Sequence, residues 1–169
     1  MQPKKQIDRN TIIYLVNEIT KHQGVKNVPR VKLGRLMYLL WLEYASLQPR
    51  LSFPENSPMA NMRFINYERG PAEDIIDEYY DEIQAEILSG HIPEFSQTEF
   101  MPKEKIFLNH ATETVRNCYS GYRTEDLCYF IQHRLPTCLH KPKITELIMS
   151  KREFIKEVHA YKRKRRRLK

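Results

Sequence analysis

Cysteine is scarce in this chain, and the three present, Cys118, Cys128 and Cys138, are an odd number. They make no disulfide framework, so the expected setting is a reducing one, cytoplasmic rather than secreted. Glycine is equally sparse, at five in 169 residues, and none falls in a phosphate-cradling loop. A Gly-x-Ser-x-Gly elbow and a His-Glu-x-x-His pair are also missing. Nucleotide binding, serine hydrolysis and zinc proteolysis therefore lose their usual signatures. Long uncharged apolar runs are absent too, because Lys32, Arg35 and Glu43 interrupt the one segment, Val31 to Leu47, that is apolar on nearly every side. That argues against a membrane span. Met1 to Gln6 has no apolar stretch after its lysines, which speaks against a secretory signal, and no internal repeat is visible.

What is there is a globular composition, 41% apolar and 29% charged, in a length that suits one domain with a sizeable core. The formal net charge of +7 is unevenly placed. Lys162 to Lys169 holds seven bases and no acid, leaving 21 bases against 21 acids in the other 161 residues. A tail such as Lys162, Arg163, Lys164, Arg165, Arg166 and Arg167 is expected to be disordered. It suits three roles equally at this point: contact with nucleic-acid phosphates, contact with an acidic protein surface, or solubilisation.

The most informative stretch is Val31 to Leu88. Leu33, Leu36, Met37, Leu40, Tyr44 and Leu47 form a stripe at helical spacing, with Tyr38, Leu39, Trp41 and Leu42 filling the opposite face, so this helix belongs inside a domain. After Pro49, Pro54 and Pro58, Met62 to Tyr67 has the β-branched and aromatic content of a short strand. Gly70 permits a sharp turn, and Pro71 fits the first position of a third helix. In that helix Ile75, Tyr79, Ile83 and Ile87 fall on one line. Glu73, Asp74, Asp77, Glu78, Asp81, Glu82 and Glu86 make a solvated acidic face that would attract a basic partner.

The other elements follow from the same periodicity. Thr11 to Gln23 reads as helix one, capped by Asn10; Pro29 opens helix two; Lys103 to Tyr119 and a short helix capped by Thr124 come later. A last helix is expected over 143–161. The fold expectation is a mainly α, single helical domain over residues 1–142, with a short strand or β-ribbon before a Gly-Pro helix start. A C-terminal helix over 143–161 packs on it, and a basic tail follows at 162–169. Cys128, His133, Cys138 and His140 are zinc-competent but lack the close pairs of a structural zinc site. Cys118 and Cys128 sit at core spacing, as packing residues do.

The sequence Lys32-Leu33-Gly34-Arg35-Leu36-Met37-Tyr38 resembles the K-L-x-K-L-x-Y helix of the Panacea domain family, and Phe64-Ile65-Asn66-Tyr67-Glu68-Arg69-Gly70-Pro71 resembles its F-x-A-W-x-Y-G-P segment. Thr124-Glu125-Asp126-Leu127 followed by His133-Arg134-Leu135-Pro136 resembles that family's helix ending in H-x-x-P-W. The likeness spans about residues 7 to 140. The chain departs from it at Asn66, at Arg69, and where Thr137 and Cys138 follow Pro136 in place of Trp.

The resemblance implies a non-enzymatic protein, SocA-like or phage-associated, that acts as an antitoxin or proteolytic adaptor. It would neutralise a cognate protein toxin, or hand a client to a protease, by direct contact. It implies no cofactor and no metal. The expected contact residues are Tyr67, Arg69, Asp74, Asp77, Glu78, Tyr80 and Asp81, with Gly70, Pro71 and His133 holding the shape. Lys32, Leu33, Leu36, Tyr38, Phe64 and Pro136 complete the motif. A nucleic-acid-binding regulator acting through the tail is the rival reading. An enzyme built on His133 with a nearby cysteine or carboxylate is the third.

Overall fold

A helix that is apolar on every side has to be surrounded, and α2 (Arg30–Ser46) is. In the computed structural model, which describes residues 6–168, Leu33, Leu36, Met37, Tyr38, Leu39, Leu40, Leu42 and Tyr44 have no exposed surface. Burial of such side chains stabilises by about 2 kcal/mol each before entropy is counted. Around α2 pack α1 (Arg9–Thr20), a hairpin of β1 (Phe64–Tyr67) and β2 (Gly70–Glu73), α3 (Asp74–Leu88), α4 (Lys105–Thr114), α5 (Thr124–Arg134) and α6 (Lys151–Lys164). The fold is mainly α, as expected, with six α-helices and one two-stranded antiparallel ribbon among the described residues. None of these helices is long and apolar enough to cross a membrane.

Helix α2 and strand β2 approach each other closely. A Cβ added to Gly34 would lie 2.7 Å from the Ala72 Cβ and 3.1 Å from its Cα. The hairpin can therefore sit directly on the helix only because position 34 lacks a side chain. The ribbon pairs Phe64 with Glu73, Ile65 with Ala72, Asn66 with Pro71 and Tyr67 with Gly70. Gly70 turns the chain at φ +108°, a region closed to side-chained residues.

Several expected boundaries move. Pro71 lies in β2 and does not open α3, whose cap is Glu73; the Glu73 carboxylate accepts the Ile76 amide at 2.9 Å. Glu73 is consequently buried, not part of a solvated face. The helix bends at Tyr79 (φ −113°, ψ 26°), whose ring is exposed beside Ile75 and Ile83 rather than buried with them. Asp8, not Asn10, caps α1 by accepting the Thr11 amide at 2.8 Å, and Arg123, not Thr124, precedes α5. After α4 the chain makes a π-helical turn, Val115–Tyr119.

The largest correction is at the C-terminal end. The last helix does not start at 143. Residues 144–147 run antiparallel to β1 instead, with the Leu147 amide donating to the Phe64 carbonyl at 2.7 Å and Ile65 bridged to Glu146. Helix α6 starts at Lys151 behind a capping box of Ser150 and Glu153. Lys162–Lys164 continue this helix and Arg165–Leu168 wind into a 3-10 turn, so the expected disordered tail is ordered as far as Leu168. The Arg167 side chain and Lys169 lie outside the described residues.

Two outcomes test this architecture. Gly70→Val should lower stability by roughly 3 kcal/mol, since valine cannot hold φ +108°. Pro71→Ala should cost less than about 1 kcal/mol. Chemical denaturation of the two variants separates them, and equal stability would remove the turn argument. The second outcome concerns pH. Burial pushes the Glu73 carboxyl up to about 7 from an ordinary 4.5, while the Ile76 and Ile75 amides pull it back. The folded state thus binds this proton more tightly than the unfolded chain. Its contribution is complete below pH 4.5 and is lost as pH rises through 7. Denaturation at about pH 5 and about pH 8 should show a loss of a few kcal/mol at the higher pH, and Glu73→Gln should shrink that difference.

Candidate functional site

Three of the expected contact residues meet. The Tyr67 hydroxyl donates to Asp77 Oδ2 at 2.5 Å, joining β1 to the first turns of α3. This bond, with burial as a lesser cause, pushes the tyrosine up to about 12. Arg69, in the hairpin turn, opens onto the same concavity of 370 Å³. Its base comes from α2, where Arg30, Val31 and Arg35 line it, and Ile144 makes the far wall.

Arg35 is the central group. It is only 3% exposed, and its Nε donates to the Arg69 carbonyl at 3.0 Å. The hairpin turn is thereby pinned to α2 directly behind Gly70. Burial lowers the pKa of this guanidinium, with the Cys128 thiol and Asp77 opposing. No carboxylate among the described residues lies within ion-pair distance of it. The pocket therefore presents three arginines, Arg30, Arg35 and Arg69, against the Asp77 and Glu68 carboxylates. In the sequence Arg35 reads as an interruption of an apolar helix and as part of the Lys32–Tyr38 motif, and Arg30 carries no signal of its own. The available signal was that a charge on an all-round apolar helix must be buried and must do something there.

The remaining expected contact residues distribute around this pocket. Asp74 starts α3 half-buried and acts electrostatically on Tyr67. Tyr80 lies beside it, with Arg30 5.7 Å above its ring and its hydroxyl on the Val28 carbonyl at 2.6 Å. Glu78 and Asp81 are exposed on α3 and do not line the pocket. Lys32, Leu33, Leu36, Tyr38, Phe64, Gly70 and Pro71 are all buried.

His133 does not tie the helix end to the Gly70 turn. It is exposed and its ring lies against that of Tyr129, centroids 4.5 Å apart and tilted by 39°. Gln132 performs the tie by donating to the Glu68 carbonyl. Pro136 is exposed as well. Asn66, the departure from the family pattern, is fully buried and its Nδ2 donates to the carbonyls of Cys138, Lys141 and Pro142 at 3.0, 3.2 and 3.3 Å. One amide thus gathers the 138–142 loop onto the hairpin. The backbone carbonyl of the same residue accepts the Ile144 amide at 2.9 Å. Ile144 sits at φ +61°, a strained conformation for a β-branched residue, and is 72% exposed at the pocket wall.

Among the described residues no three His, Cys, Asp or Glu side chains come together to hold a metal. Cys138 is buried against Tyr38 and Glu157, and burial first, then the Glu157 charge, pushes its thiol up to about 12. Such a thiol is not a nucleophile near neutral pH. A second concavity of 460 Å³ lies between Trp41, Phe53, Phe64, Leu147 and Phe154. Its walls are mostly apolar, with Glu146 and Lys151 as its charged groups.

Two buried carboxylates connect α2 to α6. Glu43 receives both its Arg165 bonds at 2.9 Å from one guanidinium nitrogen, and the Tyr161 hydroxyl also donates to it. The Tyr119 hydroxyl, placed by the π-helical turn, lies 2.8 Å from that of Tyr161. Glu157 accepts the Tyr38 hydroxyl and, at 3.1 Å, the Thr137 amide. Burial raises the Glu157 pKa, the Tyr38 and Thr137 bonds opposing it.

Arg165, itself a third exposed, therefore holds a carboxylate that lies in the core. Arg165→Ala strands a buried carboxylate and should cost about 3 kcal/mol. Arg165→Ala combined with Glu43→Leu should recover most of that in a double-mutant cycle of denaturant midpoints. An Arg165→Ala protein as stable as the parent would show that the Glu43 charge is not held this way.

The chain matches no protein-family model, no curated protein and no solved structure.

Proposed function

We propose that this chain is a non-enzymatic binding protein of the kind its Panacea resemblance implies, an antitoxin or proteolytic adaptor that holds a cognate protein partner at the hairpin pocket. The observation that carries the reading is the meeting of Tyr67, Arg69 and Asp77 above a buried Arg35. Protein interfaces draw most of their energy from a few aromatic and arginine anchors in a desolvated centre, and Tyr67 and Arg69 are of that type. The site is preformed. Arg35 and Gln132 both grip the turn that carries Arg69, so little ordering entropy is lost on binding. Asp74, Glu78 and Asp81 stand on α3 beyond the pocket, where charge steers and orients a partner more than it holds one. The unreactive thiol of Cys138 and the packing of the exposed His133 ring on Tyr129 favour binding over catalysis.

The test pairs the full chain with the product of a small open reading frame adjacent to its gene. Co-expression should relieve growth arrest caused by that product. Tyr67→Ala with Arg69→Glu should lower relief and direct capture by at least about tenfold while leaving the far-ultraviolet circular dichroism unchanged, because both side chains reach water. The Glu78→Lys and Asp81→Lys double variant, which leaves the Tyr67–Asp77 bond intact, should slow association more than it speeds release. A folded Tyr67→Ala, Arg69→Glu protein that protects fully would place the contact surface elsewhere.

A further inference from the structure

The positive charge of this protein is organised in a way that the pocket does not use. Arg152, Lys156, His159, Arg163 and Arg166 are all exposed, and spacing of four, three and four residues keeps the first four within an arc of about 60° on one side of α6. From Arg152 to Arg163 the row is about 17 Å long, and Arg166 continues it into the 3-10 turn. No acid interrupts it. The only two carboxylates of α6 are engaged elsewhere: Glu157 is buried on Tyr38 and Thr137, and Glu153 pairs with Lys141 at 2.7 Å. Lys164 is also spoken for, with its Nζ on the Arg134 carbonyl at 2.9 Å at the end of α5.

The row is presented rigidly. Val158, Ala160 and Tyr161 are buried on the opposite side of α6, and Tyr161, Glu157 and Arg165 bond into the core from it. A disordered basic segment would have to be ordered on binding; this one is already a helix.

We infer that the outer face of α6 is a docking surface for duplex DNA, seated at the major groove and held by its flanking phosphates without regard to base sequence. Charge complementarity selects a polyanion. The row contains no exposed aromatic or aliphatic anchor of the kind that carries protein–protein affinity, and no stacking platform of the kind that holds single strands. The major groove of B-form DNA admits an α-helix, whereas that of A-form RNA is too narrow. The inference stands on a different face from the hairpin pocket and is independent of the proposed partner there.

The experiment is fluorescence anisotropy with a labelled DNA duplex of about 21 base pairs, two helical turns, titrated with the full chain. Four phosphate contacts predict that affinity falls about 10²-fold between about 50 and 200 mM salt. Duplexes of unrelated sequence should bind alike. The variant carrying Arg152→Gln, Lys156→Gln, Arg163→Gln and Arg166→Gln should lose nearly all of that salt dependence and most of the binding, with its thermal melt unchanged. Lys156→Gln with Arg163→Gln alone should remove about half of the salt slope, which keeps the test valid if the fourfold variant folds poorly. Retention of full affinity by either variant would overturn the inference, as would no binding by the parent chain at the lower salt. Equal affinity for an RNA duplex of the same length would overturn the assignment to a B-form groove. Self-association abolished by the same substitutions, without DNA binding, would make the face an interface between copies.

Discussion

A carboxylate on the dry side of a helix has to be matched, and Glu43 is the constraint from which much of this structure follows. It sits on α2 with 1% of its surface exposed, in the one helix that every other α-helix and the hairpin contact. An unpaired charge there costs several kcal/mol, and the chain meets the demand from 122 residues away with Arg165, helped by the Tyr161 hydroxyl. To deliver those groups α6 must lie along α2. The same placement brings Glu157 onto Tyr38 and buries Cys138 beneath it.

This accounts for the part of the sequence that is easiest to misjudge. A run of six bases reads as disordered because charge runs seldom find a buried partner. Here one member of the run finds Glu43, and it orders its neighbours as a helix. Neither Glu43 nor Arg165 carries a local sign of the pairing, since residues so far apart reveal no register. The apolar helix α2, by contrast, is legible from periodicity alone, as are the positions of α4 and α5. The hairpin is legible as one strand but not as two. Pro71 suits a helix start, yet it equally suits a strand position that needs no donor: its partner Asn66 directs its own amide away, to the Thr145 carbonyl at 2.9 Å. Only the third strand-like segment, 144–147, discriminates between these two uses of proline.

The candidate site shows the same division. Tyr67, Arg69 and Asp77 are close in sequence, so a strand-turn-helix reading brings them near one another. Arg30 and Arg35 come from a different element and change the character of the place. What reads as an acidic face becomes a pocket with arginine on its floor and carboxylates on its rim. The exposed acids Glu78 and Asp81 and the basic row on α6 then belong to separate surfaces of opposite sign, suited to different partners.

Arg35 and Glu43 have a shared consequence for how α2 is held. Apolar side chains alone would let this helix slip by a turn, about 5.4 Å, with little loss, because Leu, Met and Tyr recur on every side of it. A slip would break the Arg35 bond to the hairpin turn at one end and the Glu43 bonds to Arg165 at the other. Gly34 adds a steric condition next to Arg35, since only that position lets Ala72 approach. The polar interruptions that keep α2 from spanning a membrane are thus the residues that select its register, and through Arg35 that register sets the height of Arg69 above the pocket floor.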